Sequence, residues 1–191
     1  STPKPSSAAS DVYKRQGVDS EQLWRAVNLV EPGLIRVDAD EATYNLHIMI
    51  RYEIEKQLIS GEIEVDELPD LWDSMYEEFL GIKSPNRSKG VLQDIHWSMG
   101  AIGYFPTYTL GNLYAAQLLE AARKELPNHE NQIRSGEFQP LLGWMRKNVH
   151  SRGSVLEPAA LIEEATGSPP SPDAFVDYLS SKVERLYGVT A

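Results

Sequence analysis

Apolar residues recur along most of this chain at helical spacing, and nowhere do they build a sustained strand alternation. The clearest case is Leu68, Leu71, Trp72, Met75, Tyr76, Phe79 and Leu80, which follow the i, i+3, i+4 rule with acids on the opposite face and Gly81 as a stop. Upstream, Leu23, Trp24, Val27 and Leu29 predict a short helix over 21–30, punctuated by Pro32 and Gly33. Leu34, Ile35, Val37 and Ala39 alternate loosely and predict a short extended stretch. A long helix is predicted over 41–60, ending at Gly61. Ala42, Tyr44, Leu46, Ile48, Met49, Ile50, Tyr52 and Ile54 make it apolar on more than one face, the pattern of a helix buried on most sides. Residues 90–103 are helix-compatible from Val91 to Met99 and then broken by glycine. Leu110, Leu113, Ala116, Leu118 and Leu119 predict a helix over 107–126 that Pro127 terminates. Shorter helices follow over 137–149, 157–165 and 172–187, the last with Ser171 and Pro172 as cap and first turn. No internal repeat is visible, so the expected fold class is mainly α, a bundle-like assembly with little or no sheet.

Composition narrows the function classes. A hydrophobic fraction of 41% and a charged fraction of 24% are ordinary for a globular domain, and 191 residues can bury a sizeable core. The formal net charge is −10, with no basic run to displace counterions, which argues against nucleic acid and against an anionic membrane surface as partners. No apolar stretch is long enough to span a bilayer. With no cysteine, disulfides and thiolate chemistry are impossible, and a reducing, cytoplasmic setting is the expectation. Residues 1–16, STPKPSSAASDVYKRQ, are small, polar and without periodicity. They read as a non-native or disordered leader, with 17–191 as the folded part.

The four histidines are His47, His96, His129 and His150, and none belongs to an H-E-x-x-H. His129 is followed by Glu130, but Ile133 stands where the second ligand should be. No metal ligand set is expected within the chain. His96 lies in an aromatic, glycine-broken stretch with Asp94, Trp97, Tyr104 and Tyr108. Glycines at 100, 103 and 111 suggest a backbone that something approaches closely. Spacing leaves two readings open: a hydrogen-bonded core histidine, or a histidine and two tyrosine hydroxyls that donate to an oxyanion. Asp94 is placed to fix the imidazole tautomer, although residues two apart on a helix diverge. A second constellation is Arg36, Asp38, Asp40 and Glu41, followed by Tyr44, His47 and Arg51. Here Arg36 reads either as a carboxylate fork or as part of an ion-pair network capping the next helix.

These two segments together carry a resemblance. EPGLIRVDADEATYNLHIMIRYEIE and GVLQDIHWSMGAIGYFPTYTLGN resemble the carboxypeptidase Taq family of thermostable-type metallocarboxypeptidases. Ile35, Arg36, Ala39 and Asp40 match its I-R-x-x-A-D motif, and Gly90, Gln93, Asp94, His96 and Trp97 match its G-x-x-Q-D-x-H-W motif. The tail over 156–187 is similar to the family's C-terminus. The resemblance implies the C-terminal portion of an all-helical peptidase that releases C-terminal amino acids from peptides with a free C-terminus and is a homodimer when complete. Zinc or cobalt is the implied metal, held by an H-E-x-x-H helix and an H-E-S-Q segment that lie upstream of the first motif in the family. Neither is in this chain, which is expected to be a little under half of the protein and inactive alone. By the same resemblance His96, Tyr108 and Tyr104 are the transition-state donors, with Tyr108 the preferred tyrosine. Arg36 is the candidate for the substrate carboxylate, and Asp94, Gln93, Trp97 and Asp40 support the site. The rival expectations are a non-catalytic folding or dimerisation module and an endo-acting helical zinc oligopeptidase.

Overall fold

The computed structural model describes residues 17–189; the leader over 1–16 lies outside the described residues. Eight α-helices and no strand occur among the described residues, so the mainly-α expectation holds. They are α1 (Ser20–Val27), α2 (Tyr44–Ser60), α3 (Leu68–Leu80), α4 (Pro106–Glu125), α5 (His129–Arg134), α6 (Gln139–Asn148), α7 (Pro158–Thr166) and α8 (Asp173–Tyr187).

Local chemistry sets the ends. A capping box starts α1: Gln22 N–H donates to Asp19 Oδ1 at 2.7 Å, and Asp19 N–H donates back to Gln22 Oε1 at 3.2 Å. Helix α2 begins three residues later than the apolar pattern suggests. Asp40 intercepts the backbone there, accepting from Ala42 N–H at 2.9 Å and Thr43 N–H at 3.0 Å, so 41–43 form a turn. The stretch 34–39 is not extended. It has no neighbouring strand to pair with, and Arg36–Asp38 close into a 3₁₀ turn through Asp38 N–H to Ile35 O (3.1 Å) and Ala39 N–H to Arg36 O (3.2 Å). Helix α5, six residues after Pro127, is too short to leave a periodic signature.

The main core lies between α2 and α3, where Ile50, Ile54, Trp72, Met75, Tyr76 and Leu80 pack with Val91 from the following loop. Each fully buried large apolar side chain there contributes about 1.5–3 kcal/mol. Helix α2 is not buried all round, since Met49, Tyr52 and Ile59 remain exposed. Helix α4 packs on α2, α7 and α8, and a smaller cluster of Ala121, Ala122 and Trp144 joins it to α6. The two ends of the described chain meet. Arg25 donates to Leu186 O at 2.8 Å, Val30 N–H to the Tyr187 hydroxyl at 2.8 Å, and the Arg185 guanidinium lies 4.0 Å from the Trp24 ring centre.

Candidate active site

The segment between α3 and α4 is not helical at Asp94, which is a 3₁₀ turn at Trp97–Met99 away from the start of α4. Gly100 (φ 73°) and Gly103 (φ 76°) adopt the left-handed backbone that lets the chain fold back on itself here. Within the described residues no atom crowds these glycines. A Cβ at 100, 103 or 111 would meet nothing within 4 Å, whereas one at Gly90 would meet Ser84 Oγ at 2.9 Å.

Folding back brings His96 against α4. His96 Nε2 and the Tyr108 hydroxyl are 3.1 Å apart, and the His96 ring centre is 4.4 Å from Phe105 and 5.7 Å from Tyr104. Tyr104 and Tyr108 stand four residues apart, their rings edge-on at 5.4 Å. The histidine side chain is largely covered, at 15% exposure, while Tyr104 is 49% exposed, so the group opens to solvent on the Tyr104 side.

Below this group lies a buried charge cluster. Asp94 accepts from Arg36 Nη2 at 2.7 Å and Nε at 3.2 Å, and from Arg51 Nε at 2.7 Å. Burial alone would raise the Asp94 carboxyl; the hydrogen bond from Arg36 and the charge and hydrogen bond of Arg51 outweigh it and hold the group below its usual range. Asp94 Oδ1 is 3.7 Å from His96 Nδ1, beyond hydrogen-bond distance, so the carboxylate is spent on the arginines and not on the imidazole. Every nitrogen of the Arg36 guanidinium already donates, Nη1 to the Tyr44 hydroxyl at 3.1 Å and the others to Asp94. The same guanidinium lies 5.0 Å from the Tyr108 ring centre, a cation–π contact that joins the cluster to the His96 group.

Gln93 stitches the two motifs together. Its Oε1 accepts from Arg36 N–H at 2.9 Å and its Nε2 donates to Leu34 O at 3.0 Å. Trp97 turns away, its indole stacked edge-on against Trp72 and its N–H donated to Glu55 at 2.8 Å. Asp40 bonds to none of these residues; it accepts from Glu31, Ala42 and Thr43 at the entrance to α2. His47 is fully buried, with Nδ1 3.0 Å from the Tyr76 hydroxyl, and burial together with the charges of Arg51 and Arg36 lowers it to about 4. Arg51, Glu55, Tyr44 and Tyr76 are members of this cluster that the motifs did not mark. Tyr44 and Arg51 already stood in the constellation with Arg36, and the four-residue spacing of His47, Arg51 and Glu55 is the signal that ties Glu55 to it.

Among the described residues no group of three His, Cys, Asp or Glu side chains is arranged to hold a metal ion. The residues present do not fit a metal centre, and no metal chemistry is assigned to them. No helix among the described residues is long and apolar enough to cross a membrane.

The sequence matches the family model described as Carboxypeptidase Taq (M32) metallopeptidase over residues 7–183, a span that includes part of the segment read above as a leader. It is 48% identical over 181 residues to thermostable carboxypeptidase 1 of Thermus thermophilus, covering 94% of this chain and 36% of that protein. Carboxypeptidase 1 of Bacillus subtilis is 45% identical over 170 residues, with 89% and 34% covered. The solved M32 carboxypeptidase of Deinococcus radiodurans superposes with a TM-score of 0.90 at 42% identity, covering 93% of this chain and 36% of that one. The chain therefore belongs to the carboxypeptidase Taq (M32) family of metallopeptidases. It spans about a third of the relatives it matches, less than the fraction the motifs suggested.

Proposed function

We propose that this chain forms the oxyanion-binding side of a metal-dependent carboxypeptidase site, acting on peptides with a free C-terminus. The observation that carries this reading is the 3.1 Å pair of His96 Nε2 and the Tyr108 hydroxyl, set beside the half-exposed Tyr104 on the motif segment. Attack on the last peptide bond turns its carbonyl oxygen into an oxyanion, and pre-oriented N–H and O–H donors favour that state over the planar substrate. In this reading His96 and Tyr108 share one hydrogen bond in the absence of substrate, and each has a proton to offer the oxygen when it develops charge. Tyr104 is the second hydroxyl. The metal, zinc or cobalt, and its ligands belong to a segment outside the described residues.

Arg36 retains a place in the proposal, with the geometry favouring an indirect one. Its fork is occupied by Asp94 and Tyr44, and only 7% of its side chain is exposed. A substrate carboxylate would have to displace a charge-assisted bond. The guanidinium face against Tyr108 supports a role in holding that ring.

A hybrid in which residues 17–189 replace the matching segment of Bacillus subtilis carboxypeptidase 1 tests the reading. The expected result is release of the last residue from a peptide with a free C-terminus and none from its amidated twin. Equal cleavage of both, at an internal bond, would favour the endo-acting alternative. An inactive hybrid that folds and loads metal would support the non-catalytic module.

A further inference from the structure

Helix α2 carries His47, Arg51 and Glu55 one turn apart on a buried face, at 0%, 0% and 4% exposure. Burying such groups is costly unless each finds a partner, so what they bind shows what the stripe is for. Arg51 and Glu55 both reach into the segment that carries His96. Arg51 Nε donates to Asp94 Oδ2 at 2.7 Å, two residues before the histidine. Glu55 uses its two oxygens separately. Oε1 accepts from the Trp97 indole N–H at 2.8 Å, one residue after the histidine, and Oε2 accepts from Gly103 N–H at 3.2 Å.

Two consecutive turns of α2 thus hold this loop before His96, beside it and at the last turn before α4. The His96 side chain has no second hydrogen bond: its Nδ1 is buried without a partner among the described residues, and its other hold is the ring contact with Phe105 at 4.4 Å. Its Nε2 position relative to Tyr108 is therefore set by the loop together with that packing. We propose that Arg51 and Glu55 are positioning residues, which set the distance between His96 and Tyr108 by gripping the loop on both sides of the histidine. This rests on the reading of His96 and Tyr108 as oxyanion donors.

The two separate acceptor oxygens of Glu55 make a graded test. Glu55→Gln keeps one acceptor for two donors, and Glu55→Ala keeps none. In the hybrid enzyme, kcat should fall in the order wild type, Gln, Ala. The Ala variant should lose about 10- to 100-fold, the scale for a donor displaced by about an ångström, with KM within about twofold. In the 191-residue chain alone, hydrogen exchange at Gly103 N–H and the Trp97 indole should accelerate at least tenfold in Glu55→Ala, while amides of α3 keep their protection. Should Glu55→Ala fail to fold, the Gln variant carries the same two measurements.

Unchanged exchange in the loop together with unchanged kcat would overturn the proposal. So would loss of protection spread evenly through α3, which is the mark of a purely structural residue. An inactive wild-type hybrid would count against the functional reading alone, because the exchange measurement still reports whether Glu55 holds the loop.

Discussion

Replacing Asp94 with Asn leaves the shape of the buried cluster nearly intact and removes the charge that two arginines share. The contacts at stake are Arg36 Nη2 and Arg51 Nε, each 2.7 Å from a carboxylate oxygen. Side-chain exposures are 7% for Arg36, 0% for Arg51 and 12% for Asp94, so solvent cannot take over the lost interaction. Removing one partner of a buried pair costs about 3–5 kcal/mol, because the remaining charge stays buried. Asn still offers one acceptor oxygen, which puts the expected loss at the lower end, about 3 kcal/mol. For a chain of this size that is a fall in Tm of roughly 6–12 °C.

Thermal melts and urea titrations of the 191-residue chain at pH 7 measure it. Glu77→Gln is the control, since Glu77 pairs with Lys83 at the surface, with side chains 59% and 60% exposed; that change should cost under about 1 kcal/mol. The Asp94 contribution also has a pH signature. Its folded pKa is depressed, so the stabilisation is complete above the unfolded value of about 3.9 and is lost as pH falls through the lower folded value. The gap between wild type and Asp94→Asn should close in that acid range. A gap at pH 7 no larger than that of Glu77→Gln would refute the reasoning.

His47 gives a second pH test. Its folded pKa of about 4 lies below the ordinary 6.5, so the unfolded chain binds the extra proton first and stability falls as pH drops from 6.5 to 4. The loss is about 3 kcal/mol at about 1.4 kcal/mol per pH unit, and a pH series of urea midpoints should show that slope reduced in His47→Gln. Gly103→Ala should destabilise by about 1 kcal/mol through its left-handed backbone. Gly111→Ala, in the exposed middle of α4 with open space at the Cβ, should instead stabilise by about 0.5–1 kcal/mol. Chemical denaturation of the two variants separates the signs.

Much of the helical framework was legible because amphipathic periodicity and stop residues agree. Helix α3 runs from Leu68 to Leu80, as its apolar stripe and Gly81 indicate. The errors fall where a side chain competes with the backbone, as Asp40 does before α2, or where a run is too short to distinguish periods, as at 34–39 and in α5. In the site, the motif segments marked His96, Tyr104, Tyr108, Asp94 and Gln93, and folding brings these together. What the spacing could not disclose was the bond between Arg36 and Asp94, which spans 58 residues. Nor did it show where the charge of Asp94 is spent, since neighbours in sequence suggested His96. Arg51 was named beside Arg36 without its partner, and Glu55 was not marked at all, for a different reason. On a helix read from sequence, a charged residue looks like solvated surface until its burial is known.

The central claim is that His96 donates to the developing oxyanion. The most direct test is the kcat of His96→Ala in the hybrid carboxypeptidase, measured with metal content alongside. A fall of about 10²–10³-fold with metal stoichiometry unchanged is the predicted result, the cost of losing one such donor. Full activity in a folded, metal-loaded His96→Ala enzyme would contradict the account and return His96 to the aromatic core.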